Sequence, residues 1–139
     1  MKIKIAEKED LIGLFELNSL FGNDNPIEKM EKHLIQNNSE IICIAYLNNM
    51  AVGYCAATII ESVCYKNNRL DIEVLFVKEE YRNKGIGKAL INFIEKEALR
   101  LNLKHFHVSA NKGDENVIDL YKKLNYEITG SQLEKTFND

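Results

Sequence analysis

Between Leu70 and Leu101 the spacing of apolar residues changes period, and this change restricts the chain to folds that alternate strands with helices. Leu70, Ile72, Val74, Leu75, Phe76 and Val77 form a strand-length apolar run. Further on, Ile86, Leu90, Phe93, Ile94, Ala98 and Leu101 recur at helical spacing, which predicts an amphipathic helix from Gly87 to about Leu101. A strand over His105–Ala110 and a helix over Glu115–Leu124 follow. Strand, helix and strand in that order imply a right-handed crossover joining two parallel neighbours.

The remaining elements surround this unit. Met1–Ala6 alternates Ile3 and Ile5 with lysines, a period of two that predicts a first strand. Asp10 stands where a helix cap belongs, ahead of Leu11, Leu14, Phe15 and Leu17. A second helix is expected after Pro26, closed by Asn37 and Asn38. Ile41–Leu47 and Val52–Val63 read as a hairpin about Asn48-Asn49, and Asn67-Asn68 turns the chain into Leu70–Val77. Tyr126–Phe137 reads as one or two closing strands. The expected order is β-α-α-β-β-β-α-β-α-β-β, an α/β (α+β) mixed sheet with helices on its faces.

Composition narrows the function classes. The 139 residues are 45% hydrophobic and 28% charged, the balance of one globular domain, expected to span 1–139. Eighteen basic residues against 21 acidic ones give a net charge of −3, without the basic excess of a nucleic-acid binder. Cys43, Cys55 and Cys64 lack metal or redox spacing and suit reduced thiols. No apolar run approaches the ~18 residues of a membrane span. A cytoplasmic protein without membrane or nucleic-acid partners is expected.

The chemistry is concentrated in Val77-Lys78-Glu79-Glu80-Tyr81-Arg82-Asn83-Lys84-Gly85-Ile86-Gly87-Lys88. Its glycines fall at a helix start, where backbone N–H groups lack intrahelical partners and the helix dipole is positive. With Arg82, Lys84 and Lys88 around it, the turn suits phosphate oxygens. A Walker loop would need Gly where Arg82 stands and Ser or Thr where Ala89 stands. A dinucleotide fingerprint would need Gly or Ala at Leu90. The spacing Arg82-x-x-Gly85-x-Gly87 instead resembles the pyrophosphate-binding loop of the GCN5-related N-acetyltransferases (GNAT family). Asp114-Glu115-Asn116-Val117-Ile118-Asp119-Leu120-Tyr121-Lys122-Lys123-Leu124-Asn125-Tyr126 is similar to a second signature of that family, and the element order matches along the chain. In this stretch Asp114 replaces the usual Asn, with Asn111 or Asn116 as substitutes, and Asn125 replaces a Gly.

The resemblance implies acetyl-CoA as donor and direct transfer to an amine. It places the pantetheine arm along the backbone of Leu75, Phe76 and Val77, whose side chains remain core. That requires the strand to splay from His105–Ala110, usually at a bulge. The pyrophosphate would meet Arg82, Asn83, Lys84, Gly85, Ile86, Gly87 and Lys88, with Asn111, Asp114 or Asn116 nearby. Glu73 is a carboxylate in an apolar strand, where it needs a cleft or a partner. It matches the family's general-base position, and Asp71 would share its face on a regular strand. Tyr121 matches the family tyrosine that protonates or hydrogen-bonds the departing thiolate.

Other readings stay open at this point. A CoA-binding sensor without turnover would carry the same loop, and an ATP site would require the missing loop identities. His105 and His107 share a strand face but have no third ligand at metal spacing, so no metal is expected. The acceptor, whether a small polyamine, aminoglycoside, amino acid, amino sugar or protein amine, would meet Phe21–Asn38 and Ser62–Arg69. There Asp24, Glu28, Glu31 and Glu61 favour a cation, while Lys29, Lys32, Lys66 and Arg69 oppose it. The closing strands would offer a sheet edge for a homodimer.

Overall fold

The structure, a computed structural model, describes residues 1–37, 39–109 and 115–138, with the backbone alone for Glu115. It divides into two compact units, Met1–Val108 and Ser109–Asp139. The first unit holds a five-stranded sheet in the order β1-β2-β3-β4-β5. Its strands are β1 (Lys2–Ile5), β2 (Glu40–Leu47), β3 (Met50–Ile60), β4 (Arg69–Val77) and β5 (Phe106–Val108). Pairing is antiparallel from β1 to β4 and parallel between β4 and β5, so the sheet is mixed as expected. Helices α1 (Leu11–Phe21) and α2 (Ile27–Gln36) precede β2, and α3 (Ile86–Arg100) makes the crossover to β5.

Side-chain alternation divides the core into two layers. On one face Ile42, Ile44 and Tyr54 pack with Leu11, Leu14, Leu17 and Met30 from α1 and α2, and Ala56, Val74 and Phe76 lie against them. On the other, Leu90, Ile91 and Ile94 of α3 are fully buried. Cys43 Sγ reaches the Leu90 carbonyl at 3.9 Å on that side. The hairpin β2–β3 turns through Asn48 and Asn49, both left-handed (φ 51° and 65°), as a tight two-residue connection requires.

Asp10 plays a different part from the helix cap expected of it. It flanks α1, but its side chain makes no cap bond. Instead it accepts the Tyr46 hydroxyl at 2.6 Å, the Glu7 N–H at 2.9 Å and the Lys4 ammonium at 2.8 Å. Burial alone would raise its carboxyl, but these three bonds outweigh it and hold the group below its ordinary 3.8. Tyr46 is pushed up to about 12 by burial and by the same bond. Because the folded value is depressed, this contribution is complete above the unfolded value and is lost as pH falls through the folded one. Asp10→Asn is expected to lower stability by about 2 kcal/mol near neutral pH. In urea titrations the deficit should narrow at about pH 3; a constant deficit would show that the carboxylate charge is irrelevant.

The second unit contains α4 (Glu115–Lys123). The closing strands expected over Tyr126–Phe137 do not form, since residues 126–138 carry no regular secondary structure. A strand gains stability only from a paired neighbour, and the described residues give this segment none. Ile128, Leu133 and Phe137 are exposed accordingly, and the sheet edge expected for a homodimer is absent from the described residues. Among those residues no helix is long and apolar enough to cross a membrane.

Candidate active site

The loop after β4 builds an open helix start. The chain passes through a single 3-10 turn (Glu79–Tyr81), then Asn83 (φ 62°) and Gly85 (φ 83°), both left-handed. Asn tolerates that conformation, and Gly adopts it without steric cost. Gly85 caps α3 without a side chain, and nothing lies within 4 Å of where its Cβ would stand. The first N–H groups of α3 have no partner within the helix, and the positive end of its dipole lies there. Exposed Lys84 and Lys88 flank the turn, while the Ile86 side chain is buried and offers only backbone. Arg82 is partly committed within the fold: its Nε donates to the Val77 carbonyl at 2.8 Å, and its guanidinium lies 5.6 Å from the Phe76 ring centre. Lys84 Nζ stands 5.5 Å from the Tyr81 ring centre.

Among the described residues, β5 lies against only the first half of β4. The parallel ladder pairs Leu70, Asp71 and Ile72 with Phe106, His107 and Val108, and the described pairing ends there. Beyond the bulge, Val74 pairs with Ala56, Leu75 with Cys55, Phe76 with Tyr54 and Val77 with Gly53 on the β3 side, and no described residue pairs with them on the other. The register between β3 and β4 also shifts at this point. Ala57 pairs with Ile72 and Ala56 with Val74, which leaves Glu73 as the extra residue of a β-bulge. Gly53 keeps this region close-packed: a Cβ there would sit 2.9 Å from the Phe76 carbonyl oxygen.

The bulge turns Glu73 into a cavity of about 350 Å³ on the α1/α2 face of the sheet. Leu14, Met30, Leu34, Ile42, Ala56 and Val74 supply its apolar walls, and Asn18, Asn23, Asn25, Lys29, His33, Glu40, Tyr54 and Glu73 its polar lining. That volume is at the small end of ligand sites, and a few convergent polar groups on an apolar wall are their usual make-up. The Tyr54 hydroxyl donates to Asn18 Oδ1 at 2.6 Å, and Asn23 Nδ2 donates to the same oxygen at 2.9 Å. Burial raises the Tyr54 phenol well above its usual range, so it is neutral at working pH. His33 contacts the Glu40 carboxylate, and Thr58 donates its hydroxyl to Glu73 Oε1.

The residues expected for chemistry fall into separate groups. Glu73, Leu75, Phe76, Val77 and the turn from Arg82 to Lys88 lie along β4 and the start of α3. Asp71 does not join Glu73 at the cavity; it pairs with Arg69 Nε at 3.0 Å, because the bulge separates the two carboxylates. Asp24, Glu28, Glu31 and Glu61 do not line the cavity either. The acidic groups there are Glu40 and Glu73. Tyr121 and Asn116 belong to α4; Tyr121 is buried, edge-on to Tyr126 at 5.2 Å between ring centres, and Asn116 is exposed. Asn111 and Asp114 lie outside the described residues.

His105 and His107 do share a side, with their Nε2 atoms 2.8 Å apart, and both are exposed. Among the described residues no group of three or more potential ligands could hold a metal. Cys43 and Cys55 are buried, and Cys55 is held well above the ordinary thiol value by its hydrogen bond with Cys43 and by burial, which makes it a poor nucleophile. Cys64 is exposed.

Asn23, Asn25, Lys29 and His33 come from the segment Phe21–Asn38 expected to meet the acceptor, whereas sequence reading missed Thr58, Tyr54, Asn18 and Glu40. The alternation of Tyr54, Ala56 and Thr58 was the available signal, since it puts all three on one face of β3.

The architecture matches solved N-acetyltransferases. The aminoglycoside acetyltransferase meta-AAC0020 from an uncultured soil metagenomic sample superposes with a TM-score of 0.85 at 26% identity, covering 99% of this chain and 96% of that one. The aminoglycoside N-acetyltransferase AAC(6')-Iy, solved with a bisubstrate analogue of CoA and acetylneamine, shares the fold at a TM-score of 0.87 and 17% identity, covering 99% and 98%. An acetyltransferase of Pectobacterium atrosepticum is 26% identical over 130 residues, covering 91% of this chain and 88% of its own. The model of the acetyltransferase (GNAT) family matches residues 11–126, and the chain belongs to that family. It is an acyltransferase.

Proposed function

We propose that the protein transfers an acetyl group from acetyl-CoA to an amine held in the cavity beside Glu73. One observation carries this reading. The bulge that turns the Glu73 carboxylate into the cavity follows directly on Ile72, the last β4 residue with a described β5 partner. An extended pantetheine arm would pair with the β4 backbone from Glu73 to Val77, as an added strand does. The pyrophosphate would rest on the open start of α3, among Arg82, Asn83, Lys84, Gly85, Ile86, Gly87 and Lys88, in keeping with the CoA-containing ligand of AAC(6')-Iy.

The chemistry then divides among few groups. Glu73 takes one proton from the acceptor nitrogen, directly or through water, as that nitrogen attacks the thioester carbonyl. A backbone N–H of β4 stabilises the oxyanion that forms. Tyr121 returns one proton to the CoA sulfur as the C–S bond breaks, leaving an amide and a free thiol. Residues 1–139 form one domain in this reading, that of a cytoplasmic enzyme. Glu40 and Glu73 favour a cationic acceptor, and the relatives that act on aminoglycosides make those amines the first to try.

Calorimetric titration with acetyl-CoA, with free CoA and ATP as controls, is expected to show micromolar binding that ATP does not match. Thiol release would then be followed across aminoglycosides, diamines, amino acids and lysine peptides. Binding without release from any amine would mark a CoA sensor instead of a catalyst, and no binding by folded protein would overturn the cofactor assignment. Tyr121→Phe should lower turnover about ten-fold with acetyl-CoA binding unchanged. Wild-type turnover in that variant would remove Tyr121 from the mechanism.

A further inference from the structure

We infer that Thr58 is the positioning residue for the Glu73 carboxylate, an inference that rests on the reading of Glu73 as the base. As the extra residue of the bulge, Glu73 has no partner of its own in the β3–β4 ladder. Its side chain is exposed, and an exposed glutamate samples many rotamers. Thr58 is the one hydrogen-bond partner that the described residues give it.

Thr58 is suited to that task by its place in the sheet. Strand β3 is paired on both sides, with Thr58 opposite Glu40 of β2 and Asp71 of β4. A β-branched side chain on such a strand has little χ1 freedom, so its hydroxyl is a fixed reference point. The hydroxyl donates to Oε1 and leaves Oε2 to meet the amine proton. Proton transfer depends on donor and acceptor meeting at hydrogen-bond distance, so a small displacement of the carboxylate lowers the rate sharply. A bond to an exposed carboxylate adds little to stability, so its effect falls on orientation and not on folding.

Two substitutions separate the hydroxyl from the methyl. Thr58→Val keeps the shape and removes the donor; Thr58→Ser keeps the donor and removes the methyl. Thr58→Val is expected to lower kcat about ten-fold with the KM for acetyl-CoA and the Tm unchanged, whereas Thr58→Ser stays within about two-fold of wild type. In a Glu73→Gln background Thr58→Val should add nothing, since the group it positions is gone.

A readout that needs no acceptor is carbon-13 relaxation at Glu73 Cγ. Its order parameter should stay above about 0.6 in wild type and Thr58→Ser and fall below that in Thr58→Val. Unchanged order in Thr58→Val, or equal loss of activity in the Ser and Val variants, would overturn the inference while Glu73 kept its role. An active Glu73→Gln enzyme would instead remove the base itself, and the positioning role with it.

Discussion

Glu73→Gln is expected to reduce amine acetylation about 10²–10⁴-fold near neutral pH while acetyl-CoA binding stays within a few-fold of wild type. Gln matches Glu in size and still offers an oxygen to the Thr58 hydroxyl, so the hydrogen bond and the bulge survive the change. It cannot take a proton. Glu73 is exposed, so folding does not depend on its charge. The rate equation then separates two roles for the carboxylate. If it only attracts a cationic acceptor, the acceptor KM rises and kcat holds; if it removes a proton, kcat falls. The deficit should also narrow as pH rises toward the pKa of the acceptor amine, because more of the amine is already neutral. A variant with wild-type kcat and KM would leave Glu73 a solvated strand residue.

Much of the first unit was legible because its signals are local. The helical period beginning near Ile86 located α3 to within a residue at each end, and Asn48-Asn49 marked a hairpin that needs two left-handed residues. Gly85 stands at the helix start where the sequence placed it, and it is left-handed there. What escaped sequence reading depends on contacts between strands. A bulge is a property of two strands in register, so neither β3 nor β4 alone announces that Glu73 is the extra residue or that Asp71 is separated from it. Asp10 looked like a helix cap, yet Tyr46, 36 positions away, and Lys4 claim its carboxylate. Tyr126–Phe137 alternates well enough to suggest strands, but alternation without a partner strand does not make one. In the cavity the same holds for Glu40. Asn37 Oδ1 accepts the Glu40 N–H at 2.8 Å at the entry to β2, and no helix or strand period reports that turn.

The start of α3 gives the second large effect. Gly85→Asp is expected to weaken acetyl-CoA binding by more than two orders of magnitude, and Gly85→Asn by only a few-fold. Both replacements have the same size and both tolerate φ 83°, so backbone strain is nearly equal in the two. Neither Cβ meets a neighbour within 4 Å. The difference between them is one negative charge at the cap. Toward the protein that charge is favourable, since an acid at a helix N-terminus interacts well with the dipole, and Gly85→Asp should melt no lower than Gly85→Asn. Toward a pyrophosphate seated on the first N–H groups it is repulsive. A unit charge about 5 Å away at an effective dielectric near 20 amounts to about 3 kcal/mol, more than a hundred-fold in affinity. Stability and binding thus move in opposite directions, which misfolding cannot imitate. Salt adds a further check, because the gap between the two variants should shrink as ionic strength rises. Equal acetyl-CoA affinity in Gly85→Asp and Gly85→Asn would place the phosphates away from this helix start and leave Gly85 as a turn residue alone.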